Sequence, residues 1–375
     1  MKKLLILADA SSVHTIKWVN ALLDRGYTIN VFSLKSFNKE NYPNSESLSI
    51  KTLQLKDKIF KGGEGALEKL KYLKAIPSIK KIINDFKPDI LHAHYASSYG
   101  VLGALCGFHP FILSVWGSDI YDFPNHNFIF KKIIQYNLKK ADRILSTSEV
   151  MGIETKKYTD KKVEITPFGV DTDVFKKREK LPGNEIVIGT VKALEHKYGI
   201  DTLLETFELL IKKRPESNFK LYIAGDGSKS EVYKKMAGEK QIADKVVFSG
   251  NIPNQKIPEY ISQFDVYLAL SRLDSESFGV AIVEAMACEV PVVVSNVGGL
   301  PEVVDHENTG FVVPAENPTA ALEAIEKIIE DPNLAKQMGK SARKRVLEKY
   351  DWKRNVELMD SIYQDVLRES DKFIS

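Results

Sequence analysis

The sequence predicts an α/β protein built on two doubly wound parallel sheets, each covered by helices. Three observations carry this. Short apolar runs alternate with helix-period segments from end to end, as they do in chained βα units. The alternation comes in two series, separated by the charged, Pro- and Gly-containing stretch 176–183. The length, 375 residues, suits two domains at roughly 150 residues each.

In the first series the expected strands are 3–8, 28–33, 89–93, 111–116 and 143–147. The helical pattern 13–25 is closed by Gly26, the usual residue for a left-handed C-terminal stop. In the second series the expected strands are 186–191, 219–224, 245–249, 265–270, 291–296 and 311–313, with helices including 199–213 and 320–330. The predicted domains are 1–172, joined by the closing helix 352–375, and 173–351. Crevices at the carboxyl ends of such sheets bind ligands, so a ligand cleft facing both sheets is expected.

Composition excludes several classes. Hydrophobic residues make up 43% and charged residues 27%, which rules out a disordered or collagen-like chain. Cys106 and Cys288 are too few for a disulfide framework or a four-cysteine zinc site, and a reducing cytoplasm is the expectation. The apolar run after Lys2-Lys3 is closed by Asp9, too early for a secretory signal core of roughly 7–15 residues. The uncharged stretch 95–118 is broken by His109-Pro110, so no membrane span is expected. A net charge of +3 argues against a nucleic-acid partner. The charge is uneven, with 25 basic against 18 acidic residues in 1–175 and 28 against 32 afterwards. The basic half is the one expected to meet an anionic partner.

The strongest constellation is Glu276-Ser-Phe-Gly-Val-Ala-Ile-Val-Glu284, at a loop-to-helix junction after the strand 265–270, with the helix expected over 278–288. A helix start offers unpaired N–H groups to phosphate or sugar oxygens, and carboxylates accept from sugar hydroxyls. A capping acid and a surface ion pair would produce the same spacing. Taken with the segment that runs on to Val304, it resembles the signature of the retaining glycosyltransferases of sequence family 4, which have the two-domain GT-B fold. The likeness extends through Asp89-Ile-Leu-His-Ala-His94, Pro167-Phe-Gly-Val-Asp-Thr-Asp-Val-Phe175, Ala224-Gly-Asp-Gly227 and Val247-Phe-Ser-Gly250 to the aromatic-rich final helix, which is expected to cross back to the first domain.

The resemblance implies a nucleotide-sugar donor, with a UDP-sugar expected, and a glycan or lipid-linked acceptor of bacterial envelope polysaccharide synthesis. It implies no cofactor and no metal. Glu276, Phe278 and Gly279 would hold the donor sugar and Glu284 the ribose. Lys192 and Lys197 would grip the diphosphate, Lys192 standing where arginine is common, so that charge is kept but the guanidinium fork is lost. Ile252 would seat the base, and Gly225, Ser12, Trp116 and His94 would complete the donor-binding set. The leaving phosphate would itself serve as base. Alanine at Glu276 or Lys197 is expected to abolish transfer and leave thermal unfolding almost unchanged.

The chain departs from the family pattern at two places. Ser11-Ser12 replaces a Gly-Gly pair, as a plain helix cap or as hydroxyls offered to ligand. Trp116 stands where relatives carry histidine; it cannot act as a base, which leaves Asp119 as the expected cleft carboxylate. His92 and His94 are read as facing apart, which disfavours a metal pair, and Asp171-Thr-Asp173 as a turn. Lysines in 67–83, with Lys131, Lys132, Lys139 and Lys140, make either a solvated helix face or a surface for anionic lipid at the inner face of the plasma membrane. The alternatives to a transferase are a nucleotide-sugar epimerase of the same fold and a sugar-nucleotide-binding protein with impaired catalysis.

Overall fold

The computed structural model describes residues 2–53 and 70–372. The chain divides into two compact units, 1–167 with 355–375, and 168–354. The boundaries fall at Pro167 and Asn355, a few residues from the expected 172 and 352. Val170 pairs with Asp351 as an isolated bridge and Thr172 Oγ1 donates to Asp351 Oδ2 at 2.6 Å, which ties 168–172 to the chain's return in the second unit.

In the first unit the elements run β1 (Lys3–Leu7), α1 (Val13–Asp24), β2 (Thr28–Ser33), β3 (Leu48–Thr52), α2 (Ile76–Phe86), β4 (Ile90–His94), α3 (Tyr99–Cys106), β5 (Phe111–Val115), α4 (Ser118–Tyr121), α5 (Phe128–Lys140), β6 (Arg143–Ser146), α6 (Glu149–Lys156) and β7 (Val163–Ile165). All strands are parallel, in the order β3-β2-β1-β4-β5-β6-β7. Strands β4 and β5 are buried at every position, which is why their sequences read as continuous apolar runs. The edge strands β3 and β7 were not expected. Their burial is partial and β7 has three residues, so neither carries an apolar run.

Helices α2, α3 and α5 pack side by side and share a core with β1, β4 and β5. The lysine-rich stretch expected over 67–83 begins outside the described residues. From Leu70 it is a tight turn leading into α2, whose Ile79 and Ile82 are buried while Lys80 and Lys81 are exposed.

The second unit runs β8 (Ile186–Val191), α7 (Ile200–Lys213), β9 (Phe219–Ala224), α8 (Ser230–Glu239), β10 (Val246–Gly250), α9 (Ile257–Ile261), β11 (Val266–Ala269), α10 (Val280–Ala287), β12 (Val292–Ser295), α11 (Leu300–Val303), β13 (Gly310–Val313), α12 (Pro318–Glu330) and α13 (Pro332–Lys349). Its parallel sheet has the order β10-β9-β8-β11-β12-β13. Helix α7 follows from its spacing: Ile200, Leu203, Leu204, Phe207 and Leu210 form one buried stripe. The final helix α14 (Trp352–Lys372) belongs to the first unit from Asn355 onward. There Tyr363 Oη hydrogen-bonds His92 Nδ1 at 2.7 Å, and Asn355 donates to the Pro167 carbonyl at 3.0 Å. Among the described residues no helix is long and apolar enough to cross a membrane.

Candidate active site

In a doubly wound sheet the connections diverge at the point where strand order reverses, and the loops there open a crevice. In the second unit that point lies between β8 and β11. The loop after β8 carries Lys192 and Lys197, and the loop after β11 carries Glu276. The structure brings them together: Lys192 Nζ lies 2.8 Å from Glu276 Oε1, with side chains 11% and 9% exposed. Burial opposes the Lys192 charge, but Glu276 and then Tyr198 outweigh that and hold its pKa above the ordinary lysine value. Glu284 contributes to the same field, half-buried on α10.

Tyr198, for which no sequence motif provides a signal, organises the two cations. Its ring lies 4.7 Å from Lys192 Nζ and 4.8 Å from Lys197 Nζ, within the range where an aromatic face attracts ammonium. The same holds for Tyr267. Fully buried under the β8 loop, it donates to the Val191 carbonyl and accepts from the Val191 N–H.

Glycines fix the backbone around this cluster. Gly225 has φ +128°, and a Cβ there would lie 2.0 Å from the Lys192 carbonyl oxygen. Its role is therefore the close approach of the β9 and β8 loops. Gly279 is the N-cap of α10 at φ +88°, so the helix begins at Val280, two residues later than expected, with no side chain capping it. Gly298 and Gly299 press on the Glu276 loop: added Cβ atoms would lie 2.3 Å from the Glu276 carbonyl and 2.1 Å from the Ser277 carbonyl, and Gly299 N–H donates to Glu276 O at 2.9 Å. The Gly-Gly pair was visible in the sequence, but its partner loop was not.

Phe278 is buried, with ring neighbours Phe168 and Tyr350, so only its backbone is available to a ligand. Ile252 lies after β10 beside a cavity of about 720 Å³, lined also by Asn251, Lys256 and Tyr260.

The first unit collects its candidates near its own reversal point, between β1 and β4. His94 is 3% exposed and its ring lies 4.7 Å from Trp116, which in turn meets His14 at 5.9 Å. Burial, then the neighbouring charge of His14, lowers the His94 pKa to about 3; burial, then Lys17, lowers that of His14 to about 4. His92 and His94 do not face apart. Side chains two apart in a strand share a face, and these rings are 4.5 Å from each other. His92 is spent on Tyr363 and on Ser114, at 2.8 Å.

Asp119 is not an exposed carboxylate. It has no accessible surface and accepts from the N–H groups of Ala96 at 2.7 Å, Gly117 at 2.8 Å and Trp116 at 3.1 Å. Its place is the junction of the loops after β4 and β5. Burial raises its pKa to about 6, against the pull of those N–H groups. Ser12 is the N-cap position of α1 but makes no side-chain capping bond, whereas Ser11 Oγ donates to Asp9 at 2.6 Å. Asp171 accepts from the N–H groups of Asp173 and Val174, a local turn. Among the described residues no group of three or more His, Cys, Asp or Glu side chains is placed to hold a metal ion.

A buried carboxylate, two ammonium groups and a helix start at the reversal point of a doubly wound sheet have the chemistry to hold a polyanionic, hydroxyl-bearing ligand. Comparison with known proteins gives the class. The family described as glycosyl transferases group 1 matches residues 171–345, and that described as glycosyl transferase 4-like matches residues 3–148. The chain belongs to the family-4 glycosyltransferases of GT-B fold.

Among its relatives, N-acetyl-alpha-D-glucosaminyl L-malate synthase of Bacillus anthracis is 26% identical over 75% of this chain and 76% of its own. The GDP-mannose-dependent alpha-(1-6)-phosphatidylinositol monomannoside mannosyltransferase of Mycolicibacterium smegmatis is 32% identical over 51% of this chain, and the match spans about half, 53%, of that enzyme. In fold, the chain is similar to sucrose-phosphate synthase of Thermosynechococcus elongatus, with a TM-score of 0.83 at 20% identity, covering 98% and 100% of the two chains. It is likewise similar to Anabaena HepE in complex with UDP-glucose, with a TM-score of 0.74 at 18% identity, covering 98% and 100%.

Proposed function

We propose that this glycosyltransferase moves a hexose from a UDP-sugar to a glycan or lipid-linked acceptor of the bacterial cell envelope, with retention of anomeric configuration and without a metal. The observation that carries the reading is the Lys192–Glu276 pair, with Lys197 across the Tyr198 ring. The donor diphosphate draws Lys192 and Lys197. Glu276 then turns from ammonium to sugar hydroxyls, Glu284 holds the ribose, and the base sits at Ile252. As the bond from C1 to the diphosphate breaks and the bond to the acceptor oxygen forms, the two ammonium groups stabilise charge on the leaving oxygen, which takes the acceptor's proton. The first unit is assigned the acceptor, and Ser12, His94 and Trp116 are its own candidate ligand-contacting residues.

We place the enzyme in the cytoplasm, at the inner face of the membrane, on the strength of α5. That helix bears Lys131, Lys132, Lys139 and Lys140 with no acidic residue, and Phe128 and Ile129 at its start are 71% and 67% exposed. UDP is favoured by the UDP-glucose complex of the Anabaena fold neighbour, whereas the mycobacterial relative is described as GDP-mannose-dependent. The deciding experiment is a thermal-shift panel of UDP-, GDP- and ADP-sugars, because a ligand stabilises the folded state in proportion to ln(1 + [L]/Kd). A UDP-sugar is expected to give the largest shift. No shift with any of them overturns the donor reading, and an altered sugar in the absence of acceptor replaces it with an epimerase.

A further inference from the structure

The loops that carry Lys197 and Glu276 are held to each other by a residue outside every motif described above. Arg272 lies four residues before Glu276, and its side chain is 8% exposed. Its backbone N–H donates to the Lys197 carbonyl at 3.0 Å. Its guanidinium reaches His196 Nε2 at 2.6 Å through one terminal nitrogen and Asp201 Oδ1 at 2.6 Å through the other. Since a guanidinium only donates, His196 accepts. His196, Lys197 and Tyr198 form a single tight turn, and Asp201 lies in the first turn of α7. Between the turn and the helix stands Gly199, at φ +62°, where a Cβ would lie 1.9 Å from the Leu270 carbonyl. The two loops are therefore in contact at the Gly199 backbone, at the Arg272 N–H and at the guanidinium.

Resting on the donor site above, we propose that Arg272 is a positioning residue that sets the Lys197–Tyr198 turn against the Glu276 loop, so that the cations on one loop and the carboxylate on the other meet a single diphosphate sugar. The bridge needs an arginine. Two partners in different directions require the planar fork, and a lysine ammonium on one flexible stem reaches one of them at a time. The His196 arm orients the turn, and the Asp201 arm anchors the guanidinium to α7. A structural staple of the second unit would depend on both arms alike. A positioning device depends on the His196 arm for ligand affinity and on the Asp201 arm chiefly for stability.

The test compares Arg272→Ala, Arg272→Lys, His196→Ala and Asp201→Ala by calorimetric titration with UDP, GDP and ADP, by donor KM and kcat, and by hydrogen exchange of the 192–199 segment. Arg272→Ala and His196→Ala are expected to weaken diphosphate binding and raise donor KM about tenfold or more, with faster exchange at 197–199. The Arg272→Ala/His196→Ala double variant should be no worse than Arg272→Ala alone. Arg272→Lys should recover melting temperature more than affinity. Asp201→Ala should lower the melting temperature while affinity, measured well below it, changes less than about twofold. Unchanged affinity and unchanged exchange in Arg272→Ala would overturn the assignment. A wild-type protein that binds none of the three nucleotides overturns the donor reading itself, and this assignment with it; that control separates the two failures.

Discussion

The ammonium of Lys192 and the carboxylate of Glu276, 84 residues apart in sequence, form a 2.8 Å ion pair from which water is nearly excluded. The pair occupies two groups that a donor would use separately, one for phosphate and one for sugar. On the proposed donor reading, phosphate binding would be the event that releases the carboxylate.

This pairing revises the expectation that Glu276→Ala spares stability. Removing one member of a buried pair leaves the other uncompensated, at a cost of about 3 kcal/mol. Glu276→Ala should abolish transfer and also lower the melting temperature by several degrees. A Lys192→Met/Glu276→Leu double variant should regain part of that stability and none of the activity. Differential scanning calorimetry beside a transfer assay checks both.

Lys197 meets the cluster through the face of the Tyr198 ring. Lys197→Ala should therefore cost transfer about a hundredfold or more, with a melting temperature within about 2 °C of wild type. Parallel melting and steady-state kinetics decide it, and a large loss of stability would show that Lys197 is structural.

Gly225→Ala puts a methyl group 2.0 Å from the Lys192 carbonyl, in a backbone conformation that L side chains rarely adopt. Overpacking and backbone strain together should cost about 2–4 kcal/mol and displace Lys192. Urea unfolding should show a lower midpoint with an unchanged slope, and nucleotide titration a weakened affinity in the protein that remains folded.

Acid should destabilise the first unit. His94 and His14 titrate at about 3 and about 4 when folded, below the ordinary 6.5, and His92 is shifted in the same direction. The unfolded chain therefore binds protons first as pH falls below 6.5, and stability present above that value is lost. At pH 5 the loss is on the order of 2 kcal/mol for each fully shifted group. Asp119 acts oppositely: its folded pKa, near 6 against 3.8, makes the folded state the better proton acceptor between those values. With three groups against one, the net slope is downward. His94→Phe should flatten the profile of melting temperature between pH 7 and 5, and Asp119→Asn should steepen it.

The lysine face of α5 predicts lipid dependence. Wild-type protein should sediment with vesicles containing anionic phosphatidylglycerol and remain in solution with neutral phosphatidylcholine. Phe128→Ala/Ile129→Ala should weaken sedimentation with no change in activity toward a water-soluble acceptor. Equal sedimentation of variant and wild type would remove these two side chains from the contact.

The central strands were legible because strands covered on both faces must be apolar throughout. The edge strands β3 and β7, covered less, carry no such signal. The site was legible in its residues but not in its bonds. The motif and the family resemblance pointed to Glu276, Lys192 and Lys197, yet nothing local in the sequence brings residues 84 apart into an ion pair. Tyr198 and Arg272 lie near motif residues, but their roles depend on which loop lies opposite, which no local pattern encodes. Asp119 was misjudged for the same reason: a carboxylate next to a motif position looks available until the N–H groups around it are seen.

Helix α14 hydrogen-bonds through Tyr363 to a histidine at the centre of the first sheet, and Tyr27 and Arg25 meet Asp360 near its middle. The first unit thus closes with a segment that follows the whole of the second in sequence. While a ribosome is still making the second unit, His92 has Ser114 on one ring nitrogen but not Tyr363 on the other, and that flank closes only after residue 363 has left the exit tunnel.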